Sequence, residues 1–269
     1  MVPGGAGDGR QAGWERIEGR VIETREQTIQ VGERIDPKGW EGRIWVGDCL
    51  EFMRALPDGC VDAVVTDPPY GTGNANVGDG EVFMPGEWAN ILPLCLPELY
   101  RVLSSSGSIY LFLSNRGLAE WLLRLQSHFK QQNLLIWDKN NHGRTCSPYS
   151  WYFTHETIFF GLKGKGQPLR TRGRKDVLHY PRVVHADHPT QKPEGLIGDF
   201  IRASTDVGDL VLDPFLGSGT TAVVCERLGR RWIGCEISPI YAEMAMKRIE
   251  RERAKLQLPF AGAVATREH

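Results

Sequence analysis

The stretch VLDPFLGSGTTA at residues 211–222 decides the fold, because it predicts a buried strand, a tight glycine turn and a helix in immediate succession. Gly217 and Gly219 let the backbone turn sharply and approach a ligand without a Cβ clash. The following helix offers free N–H groups at its N-terminus. Glu236 ends the next predicted strand, where its carboxylate can accept hydrogen bonds from both hydroxyls of a ribose. The turn therefore indicates an adenosine-containing ligand, but it does not indicate a reaction.

Three interpretations of this turn compete. A phosphate-binding P-loop requires Lys and then Ser or Thr after its last glycine, and Thr220-Thr221 at this place excludes it. A dinucleotide site tolerates the pattern G-x-G-x-x-A, so the turn alone leaves a dehydrogenase and a methyltransferase open. A purely structural turn is disfavoured because Asp213, both glycines and Glu236 occur together.

Outward from the turn, predicted strands and helices alternate from about residue 43 to about residue 253. This alternation predicts an α/β three-layer sandwich with a mostly parallel sheet. We expect residues 43–255 to form one domain, residues 1–42 a partly flexible extension compatible with a hairpin at 17–31, and residues 256–269 a tail. No apolar run approaches the roughly 18 residues of a membrane span. The six cysteines lack a C-x-x-C pair, which disfavours zinc and disulfides and indicates a reduced, cytoplasmic protein.

The tetrapeptide Asp67-Pro68-Pro69-Tyr70 follows the predicted buried strand 62–66 and so lies at the carboxyl end of the sheet. An exocyclic aromatic amine is a poor nucleophile because its lone pair is delocalised. A carboxylate and a backbone carbonyl that accept its two N–H groups would pull the nitrogen toward sp3 geometry. The prolines would fix that carbonyl, and the aromatic ring can stack on a base taken out of a duplex. A chance Pro-Pro loop cap is the much less specific alternative.

Together these motifs resemble those of the β-class DNA amino-methyltransferases, in which the catalytic tetrapeptide precedes the glycine turn. The segment HPTQKP at residues 188–193 resembles the family's motif just upstream of that turn. The resemblance covers residues 43 to 253 approximately. It implies a Rossmann-like methyltransferase domain with permuted motif order, S-adenosyl-L-methionine as cofactor and double-stranded DNA as substrate. It also suggests a homodimer, and it leaves a companion restriction endonuclease open.

The resemblance assigns roles by position. Asp48 would bind the cofactor's adenine amine, Glu236 its ribose, and Lys192 its methionine carboxylate. The implied catalytic residues are Asp67, Pro68, Pro69 and Tyr70. The implied cofactor-binding residues are Asp48, Cys49, Leu50, Asp67, Thr190, Lys192, Asp213, Phe215, Gly217, Ser218, Gly219, Thr220, Thr221, Glu236 and Ile237. For Cys49 and Leu50 the implied contact is from the backbone to the adenine ring edge.

The first residue of the tetrapeptide favours adenine as the target base. Family members that methylate N4 of cytosine commonly have Ser there, so Asp67 predicts transfer to N6 of adenine, with N4 of cytosine as the alternative. A non-catalytic, cofactor-binding subunit that binds DNA is the alternative outside the enzymes. Methyl transfer from a sulfonium needs no metal, and the histidines have no ligand cluster around them, so no metal site is predicted.

A basic segment supplies the predicted DNA contacts, although the net charge of the chain is −1. Residues 163–175 contain six basic residues and no acidic one, with glycines between them. A solvated loop is the alternative to a phosphate-tracking segment. We expect a target-recognition loop at about 163–187, with recognition shared by segments 71–87 and 140–152. The predicted phosphate contacts are Lys163, Lys165, Arg170, Arg172, Arg174, Lys175 and Arg182.

Overall fold

The computed structural model describes residues 35–69, 91–115, 117–140, 149, 151, 154–171, 173–184 and 190–257, with the backbone of two short strands before them. These strands, β1 (Arg16–Ile17) and β2 (Arg20–Val21), pair antiparallel as a small hairpin. It overlaps the start of the predicted hairpin region, and residues 22–34 lie outside the described residues. In the described part of the chain, no helix combines the length and apolarity needed to cross a membrane.

One sheet of eight strands forms the centre of the described structure. Its strands are β3 (Ile44–Val46), β4 (Val61–Thr66), β5 (Leu103–Leu113), β6 (Lys130–Asp138), β7 (His155–Leu162), β8 (Val177–His179), β9 (Leu210–Asp213) and β10 (Arg231–Glu236). Their order is β3-β10-β9-β4-β5-β7-β6-β8. Only β7 runs antiparallel to its neighbours β5 and β6, and the other pairs are parallel. The predicted mostly parallel sheet is therefore confirmed.

Helices cover both faces of this sheet. They are α1 (Pro37–Trp40), α2 (Cys49–Ala55), α3 (Ile91–Val102), α4 (Leu118–Gln126), α5 (Glu194–Ser204), α6 (Thr220–Leu228) and α7 (Pro239–Gln257). Phe52 of α2 and Leu99 of α3 lie fully buried in the apolar cluster on one face. Phe200 of α5 and Ile249 of α7 lie in the cluster on the other. Burying one such side chain stabilises the fold by about 1.5–3 kcal/mol, and two separate clusters confirm the three-layer arrangement.

The strands β4 and β9 are neighbours from which the chain leads away in opposite directions. From β4 it passes through α3 to β5, and from β9 it passes through α6 to β10 on the other side. A crevice opens at the carboxyl ends of strands at such a switch point. Asp67 follows β4 and the glycine turn follows β9, so the topology brings the two motifs of the sequence to the same crevice.

The basic segment lies at the opposite edge of the sheet. Because β7 is antiparallel to β5, it begins at the carboxyl edge with His155 and ends at the amino edge with Leu162. A strand of eight residues spans roughly 25 Å at about 3.3 Å per residue. Residue 163 therefore lies far from Asp67, and the chain has returned toward the carboxyl edge when β8 begins, because Val177 pairs with Ile136 near the end of β6. The sequence did not predict this three-residue strand, which is too short to show a period.

Candidate active site

The tetrapeptide is anchored through the residue that precedes it. Thr66, the last residue of β4, donates a hydrogen bond from Oγ1 to Oδ1 of Asp213 at 2.7 Å. The same oxygen accepts the backbone N–H of Phe215 at 3.2 Å. Burial of Asp213 raises its pKa to about 6, although the donors Thr66, Thr221 and Phe215 oppose the shift. Asp213 therefore ties the two motif strands together from the interior instead of lining the crevice.

Glu236, at the end of β10, folds over the glycine turn. Its Oε2 accepts the N–H of Gly217 at 2.8 Å, and its Oε1 accepts the N–H of Ser238 at 2.9 Å. Gly217 has φ of 50°, in the left-handed region that side chains rarely adopt. Burial raises the pKa of Glu236 although these backbone donors oppose the shift. Each carboxylate oxygen has two lone pairs, so Glu236 retains acceptor capacity for ribose hydroxyls.

Asp48 supports the next part of the crevice as the N-cap of α2. Its Oδ1 accepts the N–H groups of Leu50 at 2.7 Å and Glu51 at 2.9 Å. The Leu50 N–H thus has a partner within the protein in place of the predicted adenine edge. The Cys49 side chain is buried with its Sγ 3.8 Å from that of Cys95, so it does not face the crevice.

The glycine turn presents backbone groups rather than its hydroxyls. Ser218 Oγ and Thr220 Oγ1 lie 3.0 Å apart and are buried beside Arg248, whose guanidinium contacts Thr220 Oγ1 at 3.2 Å. The N-terminus of α6 remains for an anionic group. Phe215 is partly buried and Ile237 is 39% exposed, which gives apolar surface beside Glu236. This set of acceptors, apolar side chains and helix N–H groups fits an adenosine-containing cofactor.

Lys192 lies at the centre of a charged cluster on the other side of Asp67. Its Nζ hydrogen bonds to Oδ2 of Asp67 and lies 3.3 Å from Oε2 of Glu156. The aromatic rings of Phe112 and Trp137 pack around the same ammonium, with centroids at 4.9 and 5.9 Å. The sequence assigned Lys192 to a methionine carboxylate, whereas the structure brings it to the first residue of the tetrapeptide.

The charges of this cluster stabilise one another. Burial by itself lowers the pKa of Lys192, but Asp67 and Glu156 outweigh it and raise that pKa above its usual value. Burial by itself raises the pKa of Glu156, but Lys192 and Lys139 outweigh it and lower that pKa. Lys139 Nζ lies 2.7 Å from Oε1 of Glu156. The cluster thus alternates negative and positive groups from Asp67 to Lys139.

Glu156 and Lys139 received no role from the sequence, although both belong to segments that resemble the family. Lys139 directly follows β6, and Glu156 is the second residue of β7. Lys139 and Glu156 lie at the same edge of the sheet only because β7 runs antiparallel to β6. The buried, near-continuous apolar sequence of β7 does not reveal the direction of the strand. The available signal was a charged residue beside each of two apolar segments, Lys139 after the first and Glu156 before the second.

Several predicted site residues are placed differently or lie outside the described part. Tyr70, Arg172, His188 and segment 71–87 are outside the described residues, as is most of 140–152. Of that last segment, Tyr149 and Trp151 are 95% and 94% exposed. Pro68 is buried, whereas Pro69 and Thr190 are exposed.

Lys163, Arg170 and Arg174, which the sequence predicted as phosphate contacts, each have partners within the protein. Lys163 Nζ donates to three main-chain carbonyls at 2.6–3.2 Å, between the end of α3 and the start of β5. Arg170 pairs with Asp206 at 2.7 Å and Arg174 with Asp199 at 3.1 Å. Lys163 and Arg170 thereby stabilise the amino edge. Lys165 is exposed at that edge too, Lys175 is exposed just before β8, and Arg182 is exposed beyond β8.

Comparison with known proteins identifies the family. The N6/N4 family model described as "DNA methylase" matches residues 61–247, which include both motifs and the Lys192 cluster. The chain belongs to the N6/N4 DNA methylase family. The DNA adenine methyltransferase YhdJ of Escherichia coli (strain K12) is 29% identical over 238 residues, covering 76% of this chain and 81% of that protein. The Type II methyltransferase M2.DpnII of Streptococcus pneumoniae is 31% identical over 238 residues, with coverage of 76% and 88%.

A solved structure agrees with the architecture of this DNA methylase. The crystal structure of the M1.HpyAVI–SAM complex is 26% identical, with a TM-score of 0.58 and coverage of 77% of this chain and 98% of that one. The Rossmann-like methyltransferase fold predicted from the glycine turn and the motif order is therefore confirmed.

Proposed function

We propose that this DNA methylase transfers the methyl group of S-adenosyl-L-methionine to the N6 amine of adenine in double-stranded DNA. The observation that carries the proposal is the position of Asp67 at the switch point, between the Glu236–glycine-turn side of the crevice and the Lys192 cluster. The relative YhdJ is named a DNA adenine methyltransferase, which supports adenine over cytosine. Asp67 itself favours the same base.

Each residue of the crevice has a separate role in the proposed reaction. Asp67 and the main-chain carbonyl of Pro68 accept the two N–H groups of the target amine and direct its lone pair into the crevice. The bound cofactor supplies an electrophilic methyl group on a sulfonium. Glu236 holds the ribose end, and the N-terminus of α6 faces the anionic end. The methylated amine then loses a proton, so no strong general base is needed.

The DNA approaches the carboxyl edge. Three segments reach this edge: the one after Asp67, the β6–β7 connection with Tyr149 and Trp151, and the stretch after β8 with Arg182. Aromatic groups can stack on bases that leave a duplex, and an arginine can neutralise a phosphate. We therefore assign DNA contact to these segments and not to residues 163–175.

Product analysis tests the proposal. The protein is incubated with labelled S-adenosyl-L-methionine and unmethylated DNA, and the DNA is digested to nucleosides for mass spectrometry. N6-methyladenine is the expected product, and N4-methylcytosine would overturn the assigned base while keeping the family. Cofactor binding without any methylated base would overturn enzymatic activity in favour of a DNA-binding subunit.

A further inference from the structure

The order of the sheet separates two groups of charges around Asp67. Asp48 follows β3 and Glu236 ends β10, and both strands lie on one side of β4. Glu156 belongs to β7, on the other side beyond β5. The Lys192 cluster is therefore beside Asp67 on the side away from the ribose and adenine positions. This placement fits a role toward the target amine rather than toward the cofactor.

We propose that Lys192 is a positioning residue that fixes Asp67 through Oδ2 and keeps it ionised, and that Glu156 holds Lys192 in place. The inference rests on the proposed function, because it takes Asp67 as the group that receives the target amine. With Oδ2 on an ammonium, the plane of the carboxylate is set before the base arrives. Because the Asp67 carboxylate already has the required orientation, its rotamer does not have to be ordered when the base binds.

The environment of the ammonium explains why it stays on Asp67. Lys192 is almost completely buried, and the rings of Phe112 and Trp137 favour a cation at this place. If Lys192 left to bind another anion, Asp67 and Glu156 would remain as two carboxylates in one partly buried site. When two carboxylates share one site, the pKa of one of them rises. A protonated Asp67 would be a weaker hydrogen-bond acceptor for the target amine.

The cluster acts as a fixed clamp and not as a proton wire. Relaying a proton would require Lys192 to give one to Glu156 while taking one from Asp67. The raised pKa of Lys192 and the lowered pKa of Glu156 both oppose that exchange near neutral pH. Lys139 further disfavours protonation of Glu156, because its ammonium lies 2.7 Å from Glu156 Oε1.

The test compares Lys192→Met, Lys192→Arg and Glu156→Gln with the native protein, and uses Lys247→Met as the matched control. Lys247 pairs with Glu243 on the surface of α7, and its side chain is 60% exposed. The measurements are the single-turnover rate of methyl transfer against pH at saturating cofactor and DNA, the Kd of S-adenosyl-L-methionine by calorimetry, and Tm.

For Lys192→Met we expect a rate roughly 100-fold lower or worse, as when one preorganised electrostatic group is removed. The acid limb of the rate profile moves about one pH unit or more upward, because Asp67 without its cation ionises at higher pH. The cofactor Kd changes by less than about threefold, since ligand contacts remain. Lys192→Arg restores part of the rate, and Lys247→Met resembles the native protein.

A tenfold or larger increase in cofactor Kd, with an unmoved profile and an intact saturated rate, would overturn the inference and assign Lys192 to the cofactor's carboxylate. Should Lys192→Met fail to fold, Glu156→Gln carries the test. It is expected to lower the saturated rate, because Lys192 loses one of its two carboxylate partners, and an unchanged rate there overturns the clamp. An inactive Asp67→Ala together with an unmoved Lys192→Met profile rejects this inference alone, whereas an active Asp67→Ala rejects the proposed role of Asp67.

Discussion

Two lysines at opposite edges of the sheet show how partner type separates a functional group from a structural one. Lys192 at the carboxyl edge and Lys163 at the amino edge each lie over an aromatic ring, at 4.9 Å from Phe112 and 4.7 Å from Tyr100. Lys192 is surrounded by carboxylates, which raise its pKa. Lys163 is surrounded by neutral carbonyls, and burial lowers its pKa.

The acids show the same division. Asp67 has an ammonium as its partner, whereas its neighbour across the strands, Asp213, has hydroxyl and amide donors and a pKa raised by burial to about 6. Neutral donors satisfy hydrogen bonds without favouring charge as strongly as a cation does. Of these two acids, the one in the crevice therefore has an ionic partner, while the one behind it has neutral partners.

Removing the crevice acid gives the largest expected effect. Asp67→Ala should lower methyl transfer by roughly 1,000-fold or more, because the target amine loses its charged acceptor. Cofactor binding should remain within a few fold. Single-turnover assays and calorimetry measure both quantities, and Asp58→Ala is the control, since Asp58 is an exposed partner of Arg101. If Asp67→Ala turned over near the native rate, Asp67 would have no more of a role in catalysis than Asp213.

The scaffold acid should act through stability and pH. The folded-state pKa of Asp213 is raised to about 6, so its contribution to stability is fully present below pH 3.8 and is lost as pH rises through about 6. A shift of about two units corresponds to roughly 3 kcal/mol at about 1.4 kcal/mol per unit. Asp213→Asn should remove that dependence. Urea denaturation at pH 5 and pH 7 should show the variant gaining stability relative to the native protein at the higher pH.

An additional loss of stability in Asp213→Asn that is equal at both pH values would leave this expectation intact, because Asn can lose hydrogen bonds without changing the slope. Parallel stability curves from pH 5 to pH 7 would contradict the raised pKa of Asp213.

The sequence predicted the glycine-turn side of the crevice better than it predicted the positions of Glu156 and Lys163. Asp67, Glu236 and the glycine turn follow parallel strands, and all such residues must meet at the carboxyl edge. The meeting of these residues at one edge of the sheet could therefore be predicted from the order of strands and motifs. Glu156 lies near the start of β7 and Lys163 directly follows the strand. The apolar sequence of β7 does not reveal its direction, so the edge of the sheet at which each residue lies did not follow from the sequence.

The partners of individual groups lay beyond the sequence as well. Nothing in the motif HPTQKP distinguishes a lysine that binds a ligand carboxylate from one that binds Asp67. The choice depends on Glu156, Phe112 and Trp137, which come from three different strands of the sheet. Long-range packing of this kind is fixed by the fold and leaves no local pattern.

Replacing the scaffold lysine should affect folding and spare the chemistry. Lys163→Met leaves three carbonyls without their shared donor, and an unsatisfied polar group costs about 1–3 kcal/mol. We expect a loss of stability of that size in urea denaturation, with an unchanged acid limb in the pH profile of methyl transfer. An upward shift of that limb in Lys163→Met would mean that the two lysines are not functionally distinct.

The smallest effect should distinguish the two edges in DNA binding. Arg182→Ala should reduce the slope of log K against log salt by about 0.9, as expected for one lost phosphate contact. Lys165→Ala removes one exposed charge from the amino edge and should leave the slope unchanged. Both proteins are titrated with one duplex at several salt concentrations. If Lys165→Ala lost about one contact and Arg182→Ala none, the DNA would have to run along the amino edge, roughly 25 Å of strand away from Asp67. No flipped base could then reach the crevice, so the same slopes that locate the DNA also test whether the carboxyl edge is where it is methylated.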